Sequence, residues 1–287
     1  MNLIIVGTNG FIGSQLAKHF NSRNNTRLFG IPWSINCLDQ IKQLLTNNKI
    51  DTIINATGSA NVVKSVMFPN KDFEANVLFH FALLDIIKGY DCRYIYFSSA
   101  AVYGNPQKLP ISETDLINPV SPYGWHKYYG EQMCYEFASL YKVKTASLRL
   151  FSVYGPGQKK MLFFDLYNKC IGPNSVIELQ GSENDSRDFI YVTDVPLAVE
   201  QIITLAPMNG ECYNVSSGQE MLISDVAKQF VRLAAPEKTI RFNSHSIPGY
   251  PSNWKADIGL ISQFGFVAKT SIEQGLKETL QWLKENV

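Results

Sequence analysis

"IIVGTNGFIGSQL", residues 4–16, decides how this chain is read. With Asn2 and Leu3 before it, the stretch opens as a short continuous apolar run, the pattern of a strand buried on both faces. The run stops at Gly7, and Leu16, Ala17 and Phe20 then recur at helical spacing. Three glycines, Gly7, Gly10 and Gly13, occupy the turn between strand and helix. Gly7 permits a sharp exit from the strand. Gly10 lacks the Cβ that would hold a phosphate off the backbone, and Gly13 lets the helix pack close to the sheet. The amides that open the helix, at Phe11 and Ile12, then face an anion with the helix dipole behind them. A strand, a glycine turn and a helix in this order predict a dinucleotide pyrophosphate site.

The same alternation continues outward. Apolar runs at 26–32, 50–58, 92–99 and 144–155 are separated by amphipathic segments at 37–48, 72–90 and 121–141. Repeated strand–helix units argue for a parallel sheet with helices on both faces. After Tyr154 the pattern becomes less regular, with strand candidates at 176–181, 187–193, 211–217 and 240–243 and helices at 161–170, 194–206, 222–235 and 271–285. The expected fold is α/β: a Rossmann-type doubly wound parallel sheet with a smaller mixed α/β C-terminal substrate-binding domain. Residues 1–154, with a returning segment at about 186–218, form the dinucleotide-binding domain in this reading. Residues 155–185 and 219–287 form the substrate-binding one.

Composition narrows the functional class. The net charge of +1, without basic or acidic blocks, argues against a nucleic-acid partner. No apolar stretch reaches the length of a membrane span, and no charged leader precedes the first strand, so the expected location is the cytoplasm. Five scattered cysteines without a CxxC pair read as reduced and packed, with no zinc site. His19, His80 and His245 form no metal-like group in the sequence.

A usual companion of the glycine turn is an acidic residue about 20 positions on, which holds the adenosine ribose. Here the second strand ends "LFGIPWSIN", without Asp, Glu or Arg. The cofactor is therefore expected to be NADP or NAD, with the choice open. Asn36 is a candidate for the adenine edge, or else a plain turn residue. Ala56, after the third strand, is a further cofactor-site candidate.

"SPYGWHKYYGEQ", residues 121–132, places Tyr123 and Lys127 one helical turn apart. Hydride transfer at a hydroxyl-bearing carbon needs a group that moves the hydroxyl proton. A tyrosine near a cation can do so, because the cation stabilises the phenolate. Lys127 can also reach the nicotinamide ribose. Ser98 and Ser99, at the end of the run 92–99, are candidates for holding the reacting oxygen. His126 lies beside Lys127 on a different helix face and is read as non-catalytic.

At these residues the chain resembles the extended short-chain dehydrogenase/reductases, the nucleotide-sugar epimerase/dehydratase family. The resemblance covers essentially the whole length and rests on "GTNGFIG", "NATG" (55–58), "SSAAVYG" (98–104), "SPYGWHK" (121–127), "LRLFSVYGPGQ" (148–158) and "RDFIYVTDV" (187–195). It implies a catalytic Ser99 that hydrogen-bonds the sugar C4 oxygen, Tyr123 as general base or acid, and Lys127 as its tuner. It also implies a diphosphate contact at Arg187, a use suited to a bidentate guanidinium, and a nucleotide-diphosphate sugar as substrate. Ser152 stands where the family often has an Asn that seats the sugar. Ala100 and Ala101 replace the acidic pair of the dehydratases, which argues against 4,6-dehydration. The short stretch before 50–58 implies that one strand of the family's sheet is reduced or missing. Trp254 is an aromatic to test beside the substrate.

The expected reaction is NAD(P)H-dependent reduction of an NDP-4-keto-6-deoxy sugar. An NDP-sugar 4-epimerase with tightly bound NAD is the alternative, and a non-catalytic Rossmann cofactor sensor is a third reading. Family members commonly dimerise through helices beginning near Asp72 and Ser121, so a homodimer is expected.

Overall fold

A computed structural model describes residues 1–34, 36–244 and 251–287. Its central sheet is built from β1 (Asn2–Val6), β2 (Arg27–Ile31), β3 (Thr52–Asn55), β4 (Arg93–Ser99), β5 (Lys144–Leu150) and a late strand, Asn209–Val215. All pairings are parallel, in the order β2-β1-β3-β4-β5 and then the late strand. Strand order reverses between β1 and β3, so the crevice beyond their carboxyl ends is the topological switch point where such sheets bind ligands. The sheet ends at β2, and the next element in the chain is the helix at Cys37–Asn47.

Helix α1 (Phe11–Asn21) follows β1, and α2 (Cys37–Asn47) follows β2. After β3 come α3 (Val62–Met67), α4 (Pro69–Phe73) and, across a π-helical turn at Glu74–Leu78, α5 (Phe79–Ile87). The single helix expected over 72–90 is therefore interrupted, and α3 was not evident in the sequence. Helix α6 (Pro122–Tyr141) precedes β5. The run 144–155 is also not one strand: Phe151 separates β5 from β6 (Ser152–Tyr154), which leaves the large sheet for a smaller one.

The remaining elements are α7 (Met161–Ile171), β7 (Val176–Leu179), β8 (Ser186–Tyr191), α8 (Asp194–Leu205), β9 (the late strand), β10 (Glu220–Leu222), α9 (Ile223–Ala234), β11 (Thr239–Phe242), α10 (Gly259–Ser262) and α11 (Ile272–Asn286). β10, β8 and β6 form a mixed three-stranded sheet, and β11 pairs with β7.

Alternation along β1 explains why its apolar run is continuous. Leu3 and Ile5 pack on one face with Leu16, Phe20, Val199 and Ile202 of α1 and α8. Ile4 and Val6 pack on the other with Ile41, Leu83, Ile87 and Phe137 of α2, α5 and α6. All four β1 side chains are fully buried, and each contributes about 1.5–3 kcal/mol by leaving water. A separate core gathers Tyr154, Phe163, Phe189, Phe230 and Leu280 from the smaller sheet, α7, α9 and α11. Ile261 and Phe266, late in the chain, return to pack on the first core. Cys37, Cys92, Cys134, Cys170 and Cys212 are free thiols, and no helix among the described residues is long and apolar enough to cross a membrane.

Candidate active site

The glycine turn sits at the switch point. Gly7 has φ +92° and its amide donates to the Ile31 carbonyl at 2.7 Å. A Cβ on Gly13 would lie 2.1 Å from the Gly7 carbonyl oxygen, so only glycine allows α1 to start this close to β1. Gly10, extended, is the N-cap of α1 and supplies no side-chain cap, and the first turn carries no acid. The opening amides, including those of Phe11 and Ile12, have no intrahelical acceptor. Ala56 lies against this turn: its carbonyl would be 2.8 Å from a Cβ on Gly7. Beyond β2, the Trp33 amide donates to Asn9 Oδ1 at 3.1 Å, and the indole ring packs on Phe79. Asn36 is exposed at the start of α2, with its side chain making no cap bond.

Helix α6 begins cleanly because Ser121 caps it, accepting from the Gly124 amide at 3.2 Å, and Pro122 occupies the first turn. That start places Tyr123 in the first turn and Lys127 one turn on. The Tyr123 amide donates to Ser65 Oγ at 3.1 Å, and its ring packs with Val62 of α3 and Ala101. Lys127 is 5% exposed. Its ammonium donates to the Phe97 carbonyl at 2.9 Å and lies 5.9 Å from the centre of the Tyr123 ring and 5.0 Å from that of Tyr96. Burial pushes the ammonium down to about 8, with Asp72 and Glu131 acting in the opposite direction.

The two serines of β4 part ways. Ser98 is buried and donates to Glu131 Oε1 at 2.5 Å. Glu131 also receives Nε and Nη2 of Arg149 at 2.9 and 2.8 Å. Ser99 is extended and half-buried, and its hydroxyl accepts from the Ala101 amide at 3.2 Å, its one side-chain hydrogen bond among the described residues. It shares the cleft side of the sheet end, whereas Ser98 belongs to the support beneath. His126 bonds the buried Asp72 at 2.7 Å, a packing contact between α6 and α4.

Across the cleft, Ser152 of β6 is half-buried. The Arg187 guanidinium of β8 lies 5.3 Å from the Trp254 ring, and its Nη1 donates to the carbonyls of Ser186 and Ser252. Trp254 also packs against Phe151 and the Tyr123 cluster, with Nε1 buried and unpartnered. The described residues contain no group of metal-ligating side chains; His245 lies outside them.

Two features of the site had no role assigned from the sequence: Gly58, which only closed the "NATG" motif, and Asn76, an asparagine at an ordinary helical position. Gly58 has φ +113°, and a Cβ there would be 2.4 Å from Asn76 Oδ1 and 3.4 Å from Lys127 Nζ. Asn76, in the π turn, is buried with Oδ1 unpartnered. The glycine turn, Gly58 and this orphaned acceptor make a cradle that added side-chain atoms would fill, and it fits a dinucleotide running from Gly10 toward Lys127.

A family model described as "NAD dependent epimerase/dehydratase family" matches residues 3–216. The chain belongs to that family. Among relatives of this epimerase/dehydratase chain is a Methanocaldococcus jannaschii protein named as a candidate UDP-glucose 4-epimerase. It is 31% identical over 83% of this chain and 78% of its own. The solved UDP-glucuronic acid 4-epimerase from Bacillus cereus, in complex with UDP-glucuronic acid and NAD, covers all of both chains at 24% identity and a TM-score of 0.91. RMD from Pseudomonas aeruginosa, complexed with NADPH, matches 99% of this chain and 100% of its own at 24% identity and a TM-score of 0.88. These two structures share the fold.

Proposed function

We propose that this chain is an NAD-dependent 4-epimerase of nucleotide-diphosphate hexoses, with a UDP-sugar as substrate. The carrying observation is the buried Lys127 ammonium, one turn from Tyr123 at the switch point, held by a carbonyl oxygen rather than by a hydrogen-bonded acid. The expectation of a 4-ketoreductase finds no specific support among the relatives, whereas several carry 4-epimerase names. Ala100 and Ala101, buried beside Ser99, leave no acid there for 4,6-dehydration.

The bound dinucleotide supplies a reversible hydride acceptor. Gly7, Gly10 and Gly13, with the amides of Phe11 and Ile12, hold its pyrophosphate, and Ala56 and Lys127 flank its nicotinamide end. Ser99 Oγ holds the sugar C4 oxygen, and Tyr123 Oη takes the proton of the C4 hydroxyl and later returns it to the same oxygen. Lys127 stabilises the Tyr123 phenolate that accepts this proton and is regenerated when the proton is returned. Arg187 contacts the sugar-nucleotide phosphates, Ser152 the sugar, and Trp254 walls the sugar side. Asn36 lies on the adenosine side. The smaller sheet, with Ser152 on β6 and Arg187 on β8, carries the sugar side.

Two measurements test this. Mass spectrometry of the purified protein is expected to find bound dinucleotide, and a UDP-hexose deuterated at C4 should be interconverted without added cofactor and with the label retained. Stoichiometric consumption of NAD(P)H instead would make the enzyme a reductase. Tyr123→Phe is expected to lower turnover about 10²–10⁴-fold while sparing dinucleotide binding. A homodimer through α5 and α6 also forms part of this reading, since Leu78 of the π turn before α5, Phe81, Trp125 and Leu140 expose large apolar side chains there; a monomer in light scattering would remove it.

A further inference from the structure

Beneath the site lies a chain of buried hydrogen bonds that the catalytic assignment does not use. His80 of α5 is 1% exposed, and its two ring nitrogens reach opposite sides of the core. Nε2 lies 3.0 Å from the Gly130 carbonyl of α6, and Nδ1 lies 2.7 Å from the Tyr94 hydroxyl of β4. The ring is stacked 4.1 Å from Tyr96, the same ring that lies under the Lys127 ammonium. On its far side the Tyr94 oxygen is 2.9 Å from Asn55 Nδ2, at the end of β3. Asn55 Oδ1 then receives both the amide and the hydroxyl of Thr57, at 3.1 and 2.6 Å.

The sense of every bond follows from one end. A carbonyl only accepts, so Nε2 carries the proton toward Gly130. Burial, reinforced by Lys127 and opposed by the Gly130 carbonyl, pushes the imidazole down to about 3, so Nδ1 is bare and must accept from Tyr94. The Tyr94 oxygen, its proton committed, accepts from the Asn55 amide nitrogen. That leaves only the Asn55 carbonyl to face Thr57. A flipped Asn55 would set its NH₂ against the Thr57 amide, and a protonated His80 would oppose the Tyr94 hydroxyl. The chain is therefore one-directional: each group donates to the next from the loop 55–58 to Gly130 of α6, the helix that carries Tyr123 and Lys127. That loop is pressed between the glycine turn and Lys127: Thr57 Cγ2 would be 3.2 Å from a Cβ on Gly7, and Lys127 Nζ 3.4 Å from one on Gly58.

We propose that His80, through Tyr94 and Asn55, is a positioning residue that sets the cofactor-facing loop 55–58 against helix α6. It touches neither substrate nor cofactor. The inference deepens the function proposed above, because it assumes that this loop lines the dinucleotide site.

The test is calorimetric titration of NAD⁺ into the unmodified protein, freed of any co-purified dinucleotide, and into Tyr94→Phe, His80→Leu and the double variant, with melting temperatures measured without nucleotide. Tyr94→Phe keeps the ring and deletes the central hydroxyl. It is expected to weaken NAD⁺ binding about tenfold, the size of one hydrogen bond. His80→Leu should do the same, and the double variant should be no weaker than the worse single, since a chain is broken only once. If both single variants melt earlier yet bind NAD⁺ as the unmodified protein does, the residues only pack and the inference falls. Loss of the fold in both would also overturn it, whereas if only one fails to fold, the other decides. If the unmodified protein itself does not bind NAD⁺, the cofactor reading fails instead, which separates the two.

Discussion

Lys127 and Glu131 lie one turn apart on α6. Both are buried, yet the helix handles their charges in opposite ways. Glu131 is met by Ser98 and by two nitrogens of Arg149, a charge neutralised by geometry. The pairing holds the arginine above its ordinary value even against burial. Lys127 has one carbonyl oxygen and two aromatic rings, and burial draws its proton affinity down. The first arrangement joins β4, β5 and α6. The second leaves a cation under strain beside Tyr123, where a developing phenolate would relieve it. A buried charge with a complete partner serves the fold, and one without is available for chemistry.

The largest expected effect separates these roles directly. Lys127→Met should lower turnover about 10²–10⁴-fold while leaving the melting temperature unchanged or raised, because an uncompensated cation leaves the interior. A clear drop in melting temperature would place Lys127 with the structural group. Arg149→Met should do the reverse, stranding Glu131 in the core at a cost of about 3–5 kcal/mol, read from urea denaturation. Adding Glu131→Gln to it should recover part of that loss; no recovery would mean that the pair does not act as a unit.

The pH dependence follows from the same contrast. Lys127 titrates at about 8 in the folded chain against an ordinary value of 10.5. The unfolded chain therefore holds the extra proton between those values, and this group makes stability rise with pH across that window. Turnover should move the other way, declining above about pH 8 as the ammonium is lost. A turnover profile level through about pH 9 would detach Lys127 from the chemistry. The smallest effect distinguishes the serines. Ser98→Ala should cost about 1 kcal/mol of stability with little change in turnover, whereas Ser99→Ala should leave stability in place and slow the reaction. Equal effects at both would erase the distinction between cleft and support.

Much of the site was legible because it depends on local rules. The spacing of Gly7, Gly10 and Gly13 dictates a turn whatever surrounds it, and Tyr123 and Lys127 must share a face once Ser121 and Pro122 start a helix. Ser98 and Ser99 could not be told apart with equal security from residues alone, since both stand at a strand end. Their fates depend on Glu131 and Arg149, brought in from α6 and β5. The expected strand 144–155 breaks at Phe151 because β6 pairs with β8 instead, a long-range choice. The π turn at Glu74–Leu78 is likewise invisible to a 3.6-residue periodicity.

The sequence by itself determined the parallel sheet, the dinucleotide turn and the Tyr123–Lys127 pair, because strand alternation, glycine geometry and helical spacing act over a few neighbouring residues. Tertiary structure alone decided which buried polar groups are paired and which are not. It set Ser98 on Glu131, left Lys127 without an acid in hydrogen-bond contact, and joined His80 to Asn55 through Tyr94. Proton affinity and hydrogen-bond direction depend on burial and on partners far apart in the chain, and those exist only once the chain is folded.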